Sequence, residues 1–430
     1  MLKVLKIAAR NLARFHRRTL LTSALITLGI VSVLSFVSIA GSFKGMMIGQ
    51  ITDSVLGHLE VHRRGYVASI DNLPLNLNMT QAMVAKVEDA LGKIDGVEAY
   101  SARIKLGAMF SNFNETTSIR INGVDPQKEP LTTPLLPGRV TQGSREGPLV
   151  NPGEILIPTL LARGMAVKVG DTVVLVATNR EGSVNGKTFV VRGIMEAVSG
   201  PSGRDGYIHI SDAGSLLRLS EPEISEIAVR LKDPGRLEEV TARLARALSA
   251  FTPGAAASAP DGAQKNAQMT GGGGLEVHTW ADLSPFANIA RMIDLLSLFI
   301  KIMLVSIVLI SVMNVMMMAV YERIREIGMI SAIGTPPGRI LGLFLTEGLL
   351  LGVGGAALGI AISLGVVYAL QTWKITFSFG QQQNLVLSPE IAVADIATVA
   401  GIVIAMALLA SLQPAWKASR MNPVTALGHV

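Results

Sequence analysis

Residues 19–43 read TLLTSALITLGIVSVLSFVSIAGSF, with no charged side chain between Arg18 and Lys44. At about 1.5 Å per helical residue this run crosses a hydrocarbon layer of about 30 Å. Three more apolar runs lie far downstream. They are 289–321, whose uncharged part begins at Ile302; 340–373, interrupted only by Glu347; and 396–416, bounded by Pro414 and Lys417. The composition agrees: 49% of the 430 residues are hydrophobic and 16% charged, against about 25% charged in an ordinary soluble domain. A cleaved leader is the rival reading of the first run, since basic residues precede it and Ser38 and Ala40 are small. Its apolar stretch exceeds the roughly 7–15 residues of such a leader.

Four spans put both termini on one side, and the basic residues say which. Lys3, Lys6, Arg10, Arg14, Arg17 and Arg18 precede the first span; Arg323, Arg325 and Arg339 join the second and third; Lys417 and Arg420 follow the fourth. Basic flanks stay in the cytoplasm. The net charge of +6 is therefore topological, and no nucleic-acid motif accompanies it. The absence of cysteine excludes disulfides, thiol catalysis and cysteine metal sites. The fold class is an α-helical membrane protein with four transmembrane helices and a large mixed α+β extracytoplasmic domain between helices 1 and 2.

The segments follow. Residues 1–18 form an amphipathic elbow helix, with Leu2, Val4, Leu5, Ala8, Ala9, Leu12 and Phe15 on one face and basic residues on the other. The spans are 19–43, 289–321, 340–373 and 396–416. Residues 44–288 lie outside, 322–339 form a cytoplasmic segment, 374–395 a short outside loop and 417–430 a cytoplasmic tail. Lys301 extends its stem to the interface.

Within the outside domain, Leu59 and Val61 alternate with His58, Glu60 and His62 as a half-buried strand. Residues 80–92 form a helix opened by Thr80, and EIAVRL passes at Asp233 and Pro234 into the helix RLEEVTARLARAL. Residues 153–197 suggest a compact strand-rich insert, farthest from the membrane, with a tight turn at Asn185 and Gly186. Residues 252–274, rich in Ala, Gly, Ser and Pro, form a flexible loop.

Catalytic motifs fail on inspection. Gly186, Lys187 and Thr188 imitate the end of a phosphate loop, but Glu181 stands where its first glycine is needed. His58 and His62 share a strand face without a third ligand, so a solvated face is favoured over a metal. Met316, Met317 and Met318 fit apolar packing better than a copper path. Glu347, a carboxylate within a span, favours pairing with a basic residue over proton relay. Gly348, Gly352, Gly355 and Gly359 allow close helix contact, either within the chain or between subunits.

The stretch NVMMMAVYERIREIGMISAIGTPPGRILGLFLTEGLLLG (Asn314 to Gly352) resembles the signature of the ABC-transporter permease superfamily of the lipoprotein-releasing permeases (LolC and LolE), MacB and FtsX. The ending LQPAWKASRMNPVTALG and the opening AARNLARFHRRTLLT are similar to the family's C-terminal and elbow patterns. The resemblance implies mechanotransmission. Two permease subunits pair, as a homodimer or with a homologue, and two cytoplasmic ABC ATPases below drive the outer domains to extract or expel cargo. ATP and Mg belong to that partner; this chain is expected to be non-catalytic and to bind no cofactor or metal. The large outside domain favours lipoprotein release from the inner membrane. MacB-like export of a drug or peptide, and FtsX-like control of a periplasmic cell-wall hydrolase, are the alternatives. The cytoplasmic segment becomes the ATPase-coupling helix, with Glu322, Arg323, Glu326, Ile327, Gly328, Met329, Ile330, Ala332 and Gly334, and its apolar Ile327 and Met329 are expected to dock in a groove.

Overall fold

The computed structural model describes residues 2–196, 204–249, 270–271, 274–373, 376–379, 382–422 and 426. The helices in chain order are α1 (Leu2–Arg14), α2 (His16–Ile51), α3 (Gln81–Lys93), α4 (Glu129–Thr132), α5 (Thr159–Gly164), α6 (Ile210–Leu216), α7 (Leu237–Ser249), α8 (Trp280–Leu283), α9 (Phe286–Glu322), α10 (Ile324–Ala332), α11 (Pro337–Trp373) and α12 (Val393–Ser419). The strands are β1 (Leu59–Arg63), β2 (Val97–Ser111), β3 (Thr116–Val124), β4 (Val140–Gly143), β5 (Glu154–Pro158), β6 (Thr172–Thr178), β7 (Val184–Met195), β8 (Asp205–His209), β9 (Glu226–Leu231), β10 (Thr270–Gly271), β11 (Leu275–Thr279), β12 (Thr376–Phe379) and β13 (Gln382–Val386). The chain divides into one unit of residues 1–45, 290–377 and 386–430, and another of 46–289 and 378–385.

Among the described residues of the first unit, α2, α9, α11 and α12 are long and apolar enough to cross a membrane. Their core is one apolar stripe per helix: Leu304, Val308, Val312, Met316 and Val320 recur every fourth residue of α9 and meet Ile26 and Ile30 of α2 and Val403 and Ala407 of α12. The elbow was expected to end at Arg18. It breaks at Phe15 instead, and the amide of Thr19 still reaches the Phe15 carbonyl at 3.1 Å, so the chain bends without losing its backbone bonds. Lys301 does not simply extend to the interface: its Nζ lies 3.6 Å from Asp395 at the start of α12.

The second unit is a mixed sheet in the order β10-β11-β1-β9-β2-β3-β8-β5-β7-β4, with β6 bridging β2 and β7. Since β2 pairs with β3, β3 with β8, β8 with β5, β5 with β7, β7 with β6 and β6 with β2, six strands close a ring. A closed ring leaves no edge to aggregate. Leu106, Phe110, Ile121, Val173, Leu175, Phe189 and Val191 belong to the buried core. This corrects the reading of 153–197 as a separate insert: β5, β6 and β7 complete a barrel whose other strands come from outside that segment.

The expected turn at Asn185 and Gly186 is also displaced. Both residues lie inside β7, opposite Ala177 and Val176 of β6. The chain reverses at 179–183 instead, where Asn179 Oδ1 accepts the amides of Glu181 and Ser183 and Gly182 takes φ +84°. The loop expected at 252–274 falls almost wholly outside the described residues.

The helices α3 and α7 pack against each other and bury Val87 and Leu91, and Val240 and Leu244, with Leu59 and Val61 of β1. Asp233 caps a single 3-10 turn at Pro234–Arg236 by accepting the Gly235 amide, and α7 follows directly. Thr80 precedes α3 without a side-chain cap. In the first unit, Pro337 is the first residue of α11.

Candidate functional site

The segment expected to couple to an ATPase takes its shape from two local features. Arg323, at φ −112° and ψ 18°, breaks the helix between α9 and α10. At the other end Gly334, at φ +92°, lets its own amide reach the Ser331 carbonyl and the Thr335 amide reach that of Ile330. This is the paired C-terminal cap that a left-handed residue permits and a side chain strains. The helix between them is two-faced. Ile327 and Gly328 are buried, whereas Met329, Ile330 and Ile333 are 55%, 42% and 79% exposed. Glu322, Arg325 and Ala332 also lie on the exposed side.

The expected pairing of Ile327 with Met329 as docking residues is thereby corrected. Two residues apart on a helix they point about 200° apart, and Ile327 is part of the core of its own unit.

Behind this helix lies a charged node. Glu347 of α11, 3% exposed, accepts a 2.7 Å hydrogen bond from Asn11 of α1 and a 3.0 Å bond from Arg323, both at Oε1. Arg323 also holds Glu326 at 3.1 Å and lies over the rings of Phe15 and Phe344, and Arg14 approaches Glu326 at 3.7 Å. Three segments distant in sequence thus meet at one carboxylate. The pairing of Glu347 with a base was legible from its position, but Asn11 was missed: an uncharged amide at the edge of the apolar face of α1 carries no sequence signal for a partner 336 residues away.

The glycines resolve onto two different neighbours. A Cβ on Gly348 would come within 2.5 Å of Ser411, and on Gly352 within 2.7 Å of Ala407, both on α12. On Gly355 it would meet Ile26 at 2.6 Å, and on Gly359 Ile30 at 2.8 Å, both on α2. One stripe of α11 therefore seats two helices of the same chain.

The second unit holds a buried ionic cluster that the sequence did not disclose. His58, Glu60 and His62 were assigned a solvated face, but all three are buried. The reason is the position of β1 between β11 and β9, covered on both faces. His58 Nδ1 accepts the Leu231 amide at 3.0 Å. His62 faces Glu226 across β9, which in turn faces Arg103 of β2. Arg103 bonds Glu129 at 2.6 Å and Glu226 at 3.1 Å, and Lys105 Nζ lies 2.7 Å from Glu226. Burial works against the charged forms of Arg103 and Lys105, but the adjoining glutamates outweigh it and hold both cationic. Burial likewise pushes Glu226 up, and Lys105, His62 and Arg103 pull it well below the carboxylate range.

Comparison with known proteins places these units in context. Residues 19–247 match the family model described as the MacB-like periplasmic core domain, and residues 298–423 that of the FtsX-like permease C-terminal. The lipoprotein-releasing system transmembrane protein LolC of Neisseria meningitidis is 22% identical, covering 96% of this chain and 94% of its own. The macrolide export ATP-binding/permease protein MacB of Syntrophobacter fumaroxidans is 34% identical over 31% of this chain and 17% of its own. Among solved structures, the periplasmic region of MacB from Actinobacillus actinomycetemcomitans is 11% identical with a TM-score of 0.32, covering 55% of this chain and 92% of that one.

Proposed function

The chain belongs to the family of ABC-transporter permeases with a MacB-like periplasmic core domain and an FtsX-like C-terminal half, and from that premise we propose that it releases lipoproteins from the inner membrane, driven by a separate ATPase docked on α10. The likeness to LolC runs nearly the full length of both chains, whereas relatives named ATP-binding/permease proteins are matched over a fifth or less of theirs. One observation carries the mechanism: α10 presents Met329, Ile330 and Ile333 outward, while its opposite side is tied through Arg323 to Glu347 and Asn11.

In this reading ATP-driven closure of two ATPases displaces α10. The Arg323 clasp passes the displacement to α11 and the elbow, because a paired, mostly buried charge resists separation. The glycine contacts carry it from α11 to α2 and α12, the helices nearest it. The described spans are strongly apolar, which supports handling of cargo outside the membrane. A second permease subunit completes the assembly.

The test is reconstitution of the chain with its ATPase in vesicles carrying a triacylated lipoprotein, with a soluble acceptor outside. ATP-dependent appearance of the lipoprotein on the acceptor supports the reading. A complex that hydrolyses ATP yet releases none, and instead carries an amphiphilic drug or peptide, identifies the MacB-like alternative, which the match to the MacB core domain favours. ATP-dependent activation of a cell-wall hydrolase without cargo movement identifies the FtsX-like one.

A further inference from the structure

Glu60 and His62 of β1 and Glu226 of β9 converge so that one ligand atom from each lies within 4.8 Å of the others, and all three residues are buried. Their polar atoms are poorly served. Both oxygens of Glu60 and both ring nitrogens of His62 find no well-directed hydrogen bond, and Oε2 of Glu226 has the Lys105 ammonium at 2.7 Å. Four such atoms in one buried place call for an explanation, because buried polar groups are ordinarily hydrogen-bonded.

The spacing supplies one. His62 Nε2 lies 3.3 Å from Glu60 Oε2 and 3.5 Å from Glu226 Oε2, yet bonds neither. Ligands held about 2.1 Å from a tetrahedral ion are about 3.4 Å apart. The nitrogen therefore sits at the separation of two ligand edges.

The surroundings fit an outer shell. Arg103 Nη1 donates to Glu226 Oε1 at 3.1 Å and lies 3.6 Å from Glu60 Oε1, and Lys105 Nζ lies 2.7 Å from Glu226 Oε2. These contacts orient the carboxylates and leave lone pairs for a cation. With a neutral imidazole, Glu60, Glu226 and Glu129 outnumber Arg103 and Lys105 by one negative charge. A divalent ion carrying a hydroxide balances it. A proton on His62 would balance it too, with its Nε2–H set between the Glu60 and Glu226 carboxylates at 3.3 and 3.5 Å, and metal analysis separates the two occupants. Glu60, Arg103 and Lys105 also line a cavity of about 180 Å³, which gives an ion a way in.

We propose that Glu60, His62 and Glu226 form a buried site for a divalent transition ion of the zinc class, which pins β1 to β9. Imidazole and carboxylate donors in four-coordinate geometry suit zinc over magnesium or calcium. The ion would be structural, since all three of its ligands are buried.

The full, tag-free chain in lipid nanodiscs, equilibrated with trace zinc and then desalted, is assayed for metal by mass spectrometry. About one zinc per chain is expected, falling at least about tenfold in Glu60→Gln and in His62→Gln and unchanged in His278→Gln. Because those variants could fail to fold, the chelated wild-type chain is also titrated with cobalt. The visible absorption of four-coordinate cobalt, bleached by zinc, is expected. Metal that persists in the Glu60 and His62 variants places the ion elsewhere and overturns the proposal. So does a wild-type chain without zinc and without the cobalt spectrum, for which a proton on His62 becomes the occupant.

Discussion

Asn11 and Arg323 donate to the same atom, Glu347 Oε1, at 2.7 and 3.0 Å, so the elbow helix and the start of α10 are held by one carboxylate of α11. Removing it leaves Arg323, with only 12% of its side chain exposed, without its buried partner. Breaking a buried pair costs about 3–5 kcal/mol. Glu347→Ala should therefore lower the unfolding midpoint markedly in detergent. The joint variant Arg323→Met, Glu347→Leu should recover much of that stability, since an apolar pair of similar volume is often neutral. If the clasp transmits motion, the joint variant stays folded and hydrolyses ATP but loses ATP-dependent release. Full release by the joint variant would show that the clasp serves stability alone.

The glycine stripe makes a second prediction. Gly348→Val and Gly355→Val place atoms where Ser411 and Ile26 already stand. Overpacking of this kind costs about 1–3 kcal/mol, and each variant should loosen a different pair, α11 with α12 or α11 with α2. Cysteine crosslinks between α11 and each partner should separate the two effects. Gly354→Ala and Gly365→Ala, where a Cβ meets nothing within 4 Å, should be neutral or slightly stabilising.

The sequence was most informative where hydropathy and length act alone. The four spans follow from such patterns, whereas the break at Arg323 shows only in the fold. It was least informative where long-range pairing decides. The strand of His58, Glu60 and His62 looks half-exposed because alternation records one covered face; the second cover comes from distant chain, so polar residues enter the interior. Asn185 and Gly186 carried a turn signal, but pairing of β7 with β6 outweighed it and moved the reversal to Asn179 and Gly182. Ile327 and Met329 looked equivalent as apolar residues, and only the packing of α10 separates them.

Acid should weaken the second unit through Glu154. Burial pushes this carboxyl up, but the hydrogen bonds from Arg192 at 2.8 Å and from Asn151 at 3.0 Å outweigh it and hold it below its ordinary value. A depressed carboxylate adds stability that is complete above its unfolded pKa and is lost as pH falls through the folded one. Between about pH 5 and 3 the unfolding midpoint should fall, and Glu154→Gln should flatten part of that slope while lowering the midpoint at pH 7. An unchanged slope in the variant would remove Glu154 from the acid response.

The basic flanks predict that both termini are cytoplasmic. Single cysteines at Ser183, Gln382 and His429 should report it in intact spheroplasts. An impermeant thiol reagent is expected to label the first two only. Labelling of the third in sealed cells would place the C-terminus outside and reverse the assignment.

The two faces of α10 give the sharpest test of the docking role. Met329, Ile330 and Ile333 are exposed and lie within one turn of one another, a disposition suited to a groove on a partner. Binding energy in such contacts concentrates in a few apolar side chains, with hot spots of about 2 kcal/mol or more. Met329→Ala with Ile333→Ala should therefore weaken ATPase binding by about thirtyfold or more while leaving the unfolding midpoint of the isolated permease nearly unchanged. Ile327→Ala should do the reverse. Its side chain is 5% exposed in the core of its own unit, and truncating such an isoleucine costs about 2–5 kcal/mol of stability, with ATPase affinity affected only as α10 loosens. Arg325→Ala serves as the mild control, because charges at an interface rim mainly set encounter rate. Affinity measured with the purified ATPase, alongside unfolding midpoints for all the variants, separates the cases. Equal ATPase affinity for wild type and the Met329, Ile333 double variant would remove the outward face of α10 as the docking surface, whatever the fate of Ile327.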